Sequence, residues 1–179
     1  MRGDVDEPIS IVEYDARWPL EYAAESARVR AALGPLVLAI EPFGSSAVPG
    51  LVSKPIIDIL VGVADLEEAK PHVAGLVALG YEDFGQIFIA ERIYLRKRGT
   101  PPHFNVAVTE HGGPFWVANL AVRDYLRSHP AEVEAYARHK EEAVARGATM
   151  FSSYSQAKDA FVRGLRERAL AWAAGRAAG

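Results

Sequence analysis

The chain has 179 residues, of which 50% are hydrophobic and 24% charged, with no cysteine and a formal net charge of −3. That length fits one domain with a sizeable core, and within it disulfides, thiolate metal sites and cysteine nucleophiles are excluded. The slight acidity argues against a grip on duplex nucleic acid through a broad basic face.

The opening MRGDVDEP is polar with no apolar run behind it, unlike a signal or transit peptide. No apolar stretch is long enough to span a bilayer, so a cytoplasmic protein without membrane contact is expected. Trp18-Pro19 opens a first helix, since proline suits an early helical position. Leu20, Ala23, Ala24, Ala27 and Ala31 are spaced to form its apolar face, and Gly34 ends it. A short buried strand over 37–43 follows. Residues 56–63 (IIDILVGV) are the most apolar run in the chain and read as a central strand covered on both faces. Asp65 caps the next helix, whose face is Leu66, Ala69, Val73, Leu76 and Leu79, with Pro71 inside it as a kink or a displaced start. Strands are expected over 81–89, 92–98 and 103–109. Gly112-Gly113-Pro114 turns into a helix over 114–126, a second runs over 130–145 behind Ser128, and a third starts near Ser153 with Gln156 in capping-box position. The Ala/Gly-rich tail after Trp172 reads as a fraying helix end. Trp18, Trp116 and Phe161 read as core anchors.

This order holds one plausible strand–helix–strand crossover. It predicts an α/β (α+β) fold: a mixed sheet flanked by helices, with the helices on one side, rather than a repeating doubly wound fold. One domain is expected over 1–179, with a core at about 10–110 and a helical tail at about 114–175.

The densest chemistry lies in residues 44–58 (GSSAVPGLVSKPIID). A Gly-Ser turn after a strand exposes backbone N–H groups, and with the hydroxyls of Ser45 and Ser46 these can hold phosphate oxygens. Lys54 adds a cation, and Asp58 is a hard oxygen ligand suited to magnesium. Gly-Ser turns also serve simply as turns, and a strand aspartate can pair with an arginine. The cost of an ionised carboxylate inside a run of Ile, Leu and Val favours the functional reading. A P-loop is excluded, because no Gly-Lys-Ser/Thr ending is present.

The segment IEPFGSSAVPGLVSKPIIDILVGV (40–63) resembles the signature of the GrpB-like family, which usually reads close to IEHIGSTSVPGLAAKPIIDILVGV. The likeness extends to VEYDARWP (12–19), RIYLRK (92–97), RDYLRSHP (123–130) and YSQAKDAF (154–161). The resemblance implies a nucleotidyltransferase-like fold. Active enzymes of that fold place two carboxylates one residue apart on a strand, where they hold two metal ions that bridge nucleotide phosphates. Counting from Ser45, the pair falls at positions 56 and 58, and the first is Ile56; in the shifted register the second is Leu60. Half of the metal clamp is missing. The family's usual His-x-His is His103-Phe104-Asn105 here, and a usual histidine is Pro42. Both departures remove imidazoles and weaken any metal site built on them.

Strand alternation groups Arg92, Tyr94, Arg96 and Arg98 on one face, and His103 and Asn105 on another. If both faces look toward Asp58, they complete a pocket for an anionic or phosphorylated ligand; otherwise the arginines form a solvated strand face. Glu41 is a second carboxylate or the partner of an arginine. His103 is a polar contact, a structural histidine, a metal ligand or a general base. Lys140, Tyr154 and Lys158 match the family's pattern; Lys158 contacts a phosphate or lies on a solvated helix face. The expected function is binding of a nucleotide or other anionic small molecule, with Ser45 and Ser46 holding phosphate, Asp58 holding magnesium for a transfer reaction, Arg92, Arg96 and Lys54 neutralising charge, and His103 as a further catalytic candidate. A ligand-binding or regulatory module without turnover is the alternative, as is acyl or amide chemistry with His103 as base and Ser45 or an incoming amine as nucleophile.

Overall fold

The computed structural model describes residues 6–177, so the start of the polar N-terminal segment and the last two residues lie outside the described residues. Helix α1 (Trp18–Leu33) leads through a 3-10 turn into β1 (Ala39–Phe43), a second 3-10 turn at Ser45–Ala47, and β2 (Ile56–Val63). Two short helices follow, α2 (Leu66–Ala69) and α3 (Ala74–Ala78), then β3 (Glu82–Gly85), β4 (Arg92–Lys97) and β5 (His103–Glu110). The chain ends in α4 (Pro114–Ser128), α5 (Pro130–Ala145) and α6 (Phe151–Ala177).

The five strands form one mixed sheet in the order β1-β2-β5-β4-β3. β2 and β5 run parallel, with Ile56 opposite His103 and Asp58 opposite Asn105; the other pairs are antiparallel. Alternation gives the sheet two different faces. Ile57, Ile59, Val61, Ile93, Leu95, Val106 and Val108 meet Trp18, Val29 and Leu33 of α1 and Leu66, Val73 and Leu76 of the segment after β2. The opposite face carries Leu60 and Ala107, which pack on Trp116 of α4. Helices therefore cover both faces, not one: the second face carries Asp58 and Asn105 at one end, but Leu60 and Ala107 beside them are apolar and need cover. A Cβ at Gly62 would stand 2.9 Å from the Trp116 ring, so this glycine lets α4 lie close to the sheet.

Several elements differ from the sequence expectation. The buried face of α1 is not its alanine stripe but Trp18, Glu25, Ser26, Val29 and Leu33, while Leu20 is 73% exposed. Trp, Val and Leu at helical spacing bury far more area than alanines do. Glu25 is accepted inside because Tyr81 Oη donates to it at 2.9 Å, Lys97 Nζ at 2.8 Å and Arg28 Nη1 at 2.8 Å. Pro71 splits the helix after Asp65 into α2, a 3-10 turn and α3, although the expected apolar residues do face the core. The strand expected over 81–89 ends at Gly85, where φ is +64° beside a bulge. Ser128 does not start α5; its Oγ donates to the Asp124 carbonyl at the end of α4. α6 begins at Phe151, two residues before the expected start, and Ser153 Oγ folds back to accept from Met150 N–H at 3.2 Å.

The N-terminal strand-like segment ties distant parts together. Pro8 bridges to Met150 and Val12 to Ser53, and Phe151 N–H donates to the Glu7 carbonyl at 2.9 Å. This strap fixes the start of α6 beside the turn that precedes β2. No helix among the described residues is long and apolar enough to cross a membrane.

Candidate functional site

β1 runs into Gly44, whose φ of +70° sharply redirects the chain into the 3-10 turn of Ser45, Ser46 and Ala47. The turn closes with Ala47 N–H donating to the Gly44 carbonyl at 3.2 Å and Val48 N–H to the Ser45 carbonyl at 3.1 Å. Below it, Asp58 projects from β2, and Asn105 on the parallel strand donates from Nδ2 to Asp58 Oδ1 at 2.9 Å. The Asp58 N–H donates to Ser46 Oγ at 3.4 Å. The turn, the carboxylate and the amide thus form one wall of a cavity of about 210 Å³. Lys54 and Ser53 enter from the approach to β2, Tyr136 and Lys140 from α5, and Tyr154 and Lys158 from α6.

Three amines face one carboxylate here. Lys140 is 1% exposed, and its Nζ donates to Ser45 Oγ at 2.6 Å and to the Val52 carbonyl at 2.7 Å. Burial, then repulsion from Lys158 and Lys54, holds its pKa well below the ordinary lysine value against the pull of Asp58. Lys158 lies over the Tyr154 ring, 4.3 Å from its centroid, and burial followed by Lys54 brings it down to about 8. Lys54, 4.6 Å from the Phe151 ring centroid, is lowered chiefly by burial. Burial raises the Asp58 carboxyl, opposed by the Asn105 hydrogen bond and then by Lys54, Lys158 and Arg92. Tyr136 is pushed up to about 12 by burial.

Of the residues singled out in the sequence, Gly44, Ser45, Ser46, Lys54, Asp58, Asn105 and Lys158 line this one cavity. Glu41 goes elsewhere: Arg123 of α4 donates to its Oε2 at 2.7 Å and to the Pro42 carbonyl at 3.0 Å. His103 opens into an adjoining hollow with Glu7, Ser10 and Lys54. Arg92, Tyr94 and Arg96 share the sheet face of Asp58 without lining the cavity. Arg96 is 2% exposed, donates to Tyr94 Oη at 2.7 Å and pairs with Glu7 at 3.2 Å, so it anchors the N-terminal strap. Arg92 lies over the Tyr94 and Phe115 rings, at 4.2 and 5.8 Å from their centroids. One of its terminal nitrogens is buried without a hydrogen-bond partner among the described residues. Sequence reasoning missed Tyr136 altogether and gave Lys140 no role. The one signal for them is their spacing of four on α5, which puts both on one helix face.

The donor set does not fit a resident pair of magnesium ions. Among the described residues Asp58 is the single carboxylate lining the cavity, and Ile56 occupies the position that would supply its neighbour. Among the described residues no group of three or more His, Asp or Glu side chains is placed to hold a metal ion. Three lysine amines in the lining and an amide N–H on Asp58 Oδ1 favour anions over cations.

The comparisons with known proteins agree with this architecture. A UPF0157 protein of Pseudomonas aeruginosa is 37% identical over 170 residues, covering 93% of this chain and 69% of that protein. A UPF0157 protein of Bacillus subtilis is 33% identical over 94% of this chain, which spans only 49% of that relative's length. The crystal structure of conserved protein GrpB from Enterococcus faecalis superposes with a TM-score of 0.83 at 30% identity, covering 90% of this chain and 97% of that one. The GrpB protein family matches residues 8–168, a span that holds the Asp58 sheet and the Lys140 and Lys158 helices alike, and this chain belongs to that family.

Proposed function

We propose that the protein binds a phosphate-bearing or otherwise anionic small molecule, a nucleotide foremost, in the cavity between the Gly44–Ser46 turn and helices α5 and α6. The observation that carries this reading is the charge balance of the cavity, with the ammonium groups of Lys54 and Lys158 beside the carboxylate of Asp58 and the buried Lys140 amine behind Ser45. Amines withdrawn from water gain most from an anion that replaces their lost hydration. Ser46 and the backbone of the turn supply neutral donors beside them. Magnesium enters only as an ion carried in by a polyphosphate, with Asp58 as its protein ligand. The nucleotidyltransferase-like relation implied by the sequence resemblance points the same way.

A screen by thermal shift and calorimetry tests this with pyrophosphate, ATP and adenosine, each with and without magnesium. The two anions are expected to raise Tm and adenosine to leave it unchanged. Lys158→Met should weaken pyrophosphate binding about tenfold or more, the worth of one charge-assisted hydrogen bond. Asp58→Asn should tighten binding without magnesium and abolish any gain from the metal. Wild-type protein whose Tm is unmoved by millimolar anions would end this proposal.

A second reading is favoured by the missing carboxylate. With Ile56 two positions before Asp58, where the second carboxylate would stand, and Glu41 engaged by Arg123, the chain binds its ligand without nucleotidyl transfer. Under that reading ATP stabilises the protein and is recovered intact after long incubation.

A further inference from the structure

The Ser45–Lys140 contact has features that anion binding does not need. Ser45 is the first residue after a strand and a glycine of φ +70°, at the start of a 3-10 turn, so its hydroxyl is presented at the cavity wall. Such a strand-to-turn position is how a nucleophilic serine is exposed to substrate. Lys140 stands behind it, buried, at 2.6 Å. The Val52 carbonyl, at 2.7 Å, fixes the amine's direction. Tyr136, four residues earlier on α5, supplies a ring 4.4 Å from the same nitrogen. A lysine recruited only for its charge would reach into the open cavity; this one is directed at a hydroxyl and a peptide carbonyl.

We propose that Ser45 is an acyl-accepting nucleophile and Lys140 its general base, acting on small esters or thioesters admitted to the cavity. The amine must be neutral to serve, and burial together with Lys158 and Lys54 favours that form, against Asp58. As a neutral amine, Lys140 gives one N–H to Val52 and its lone pair accepts the Ser45 O–H. Ser45 Oγ bonds to the substrate carbonyl carbon while its proton passes to Lys140 Nζ. The bond from carbon to the leaving group then breaks, the leaving group departs with its electron pair, and Lys140 returns the proton to it. Water attacks the acyl-serine, Lys140 takes its proton, and Ser45 leaves as the alkoxide and is reprotonated. The sum is ester plus water to acid plus alcohol or thiol. The groups facing Lys140 are Asp58 and Lys54 from the β2 region, Tyr136 on its own helix, and Tyr154 and Lys158 on α6. Only the expectation that the substrate also carries an anionic group, held by Lys54 and Lys158, rests on the binding function proposed above.

The test is covalent labelling of the full-length folded chain with a small alkyl fluorophosphonate and with p-nitrophenyl acetate, read by intact mass and peptide mapping. One adduct per chain, on Ser45, is expected, and none on Ser45→Ala. Lys140→Arg can still donate to Ser45 and Val52 but stays protonated and cannot take up a proton, so its labelling should be about 100-fold slower; Lys140→Met is read the same way if the arginine variant melts early. The labelling rate should rise with pH to a plateau below the ordinary lysine range. Pyrophosphate added with the reagent should slow the adduct if the anion shares the cavity. Labelling that pyrophosphate leaves unchanged removes the anionic-substrate clause and keeps the nucleophile. A folded wild-type protein that stays unlabelled at Ser45, or a folded Lys140 variant labelled at the wild-type rate, overturns the proposal.

Discussion

A Cβ placed on Gly44 would lie 2.6 Å from Asp58 Oδ2, at a φ of +70° that side chains rarely adopt. Gly44→Ala therefore meets backbone strain and a clash with the site's carboxylate together. Chemical denaturation should show a loss of about 1–3 kcal/mol, and anion binding should change with it because Asp58 is displaced. Lys158 gives the site a pH dependence of definite sign. Its pKa falls to about 8 in the fold, so the ammonium that an anion needs is lost as pH rises through that value. Pyrophosphate affinity should drop between pH 7 and 9 in wild type and lose most of that drop in Lys158→Met. Stability runs the other way. An unfolded lysine still holds its proton above pH 8 while the folded one has released it, so this group's burial penalty fades as pH rises toward the ordinary lysine value. At this scale the sequence was legible where a residue broke a local pattern. Asp58 interrupts an apolar strand, and Gly44, Ser45 and Lys54 punctuate a turn. Lys140 breaks nothing in a polar helix, and its partner Ser45 is 95 positions away, a separation no local pattern reports.

Among the elements, α1 is held to the sheet by more than apolar contact. Glu25, 1% exposed, receives hydrogen bonds from Lys97 of β4 and Tyr81 before β3, as well as from Arg28 beside it. Glu25→Ala leaves those donors without their acceptor and should cost about 3 kcal/mol in denaturant melts. Burial alone would raise this carboxyl, but its three partners bring it below the ordinary value. Its contribution is therefore complete above the ordinary carboxylate pKa and lost as pH falls through the depressed one. The gap between wild type and Glu25→Gln should close in acid. Strand periodicity and proline-started helices gave the element order correctly, because both are local signals. The buried face of α1 and the extent of β3 were not legible. Burial of Glu25 depends on residues 56 and 72 positions away, and β3 ends at a bulge set by pairing with β4.

At the scale of the molecule, the cavity is assembled from the turn after β1, strands β2 and β5, and two C-terminal helices, with the N-terminal strap binding α6 to the rest. Those helices, the expected helical tail, are also walls of the cavity. Pyrophosphate should therefore slow amide hydrogen exchange in residues 44–58 and in α5 and α6 together; protection limited to the turn would place the ligand elsewhere. The parallel pairing of β2 with β5 also sets an order of events in folding. β4 and β5 can zip as neighbours, whereas Asp58 and Asn105 lie 47 positions apart and meet only once the crossover between their strands has closed. Closing a long loop before its contacts repay the entropy is slow. In stopped-flow refolding, binding of a fluorescent nucleotide should lag behind the recovery of sheet signal, so the newly made chain would spend its first moments as a sheet that cannot yet hold the proposed ligand.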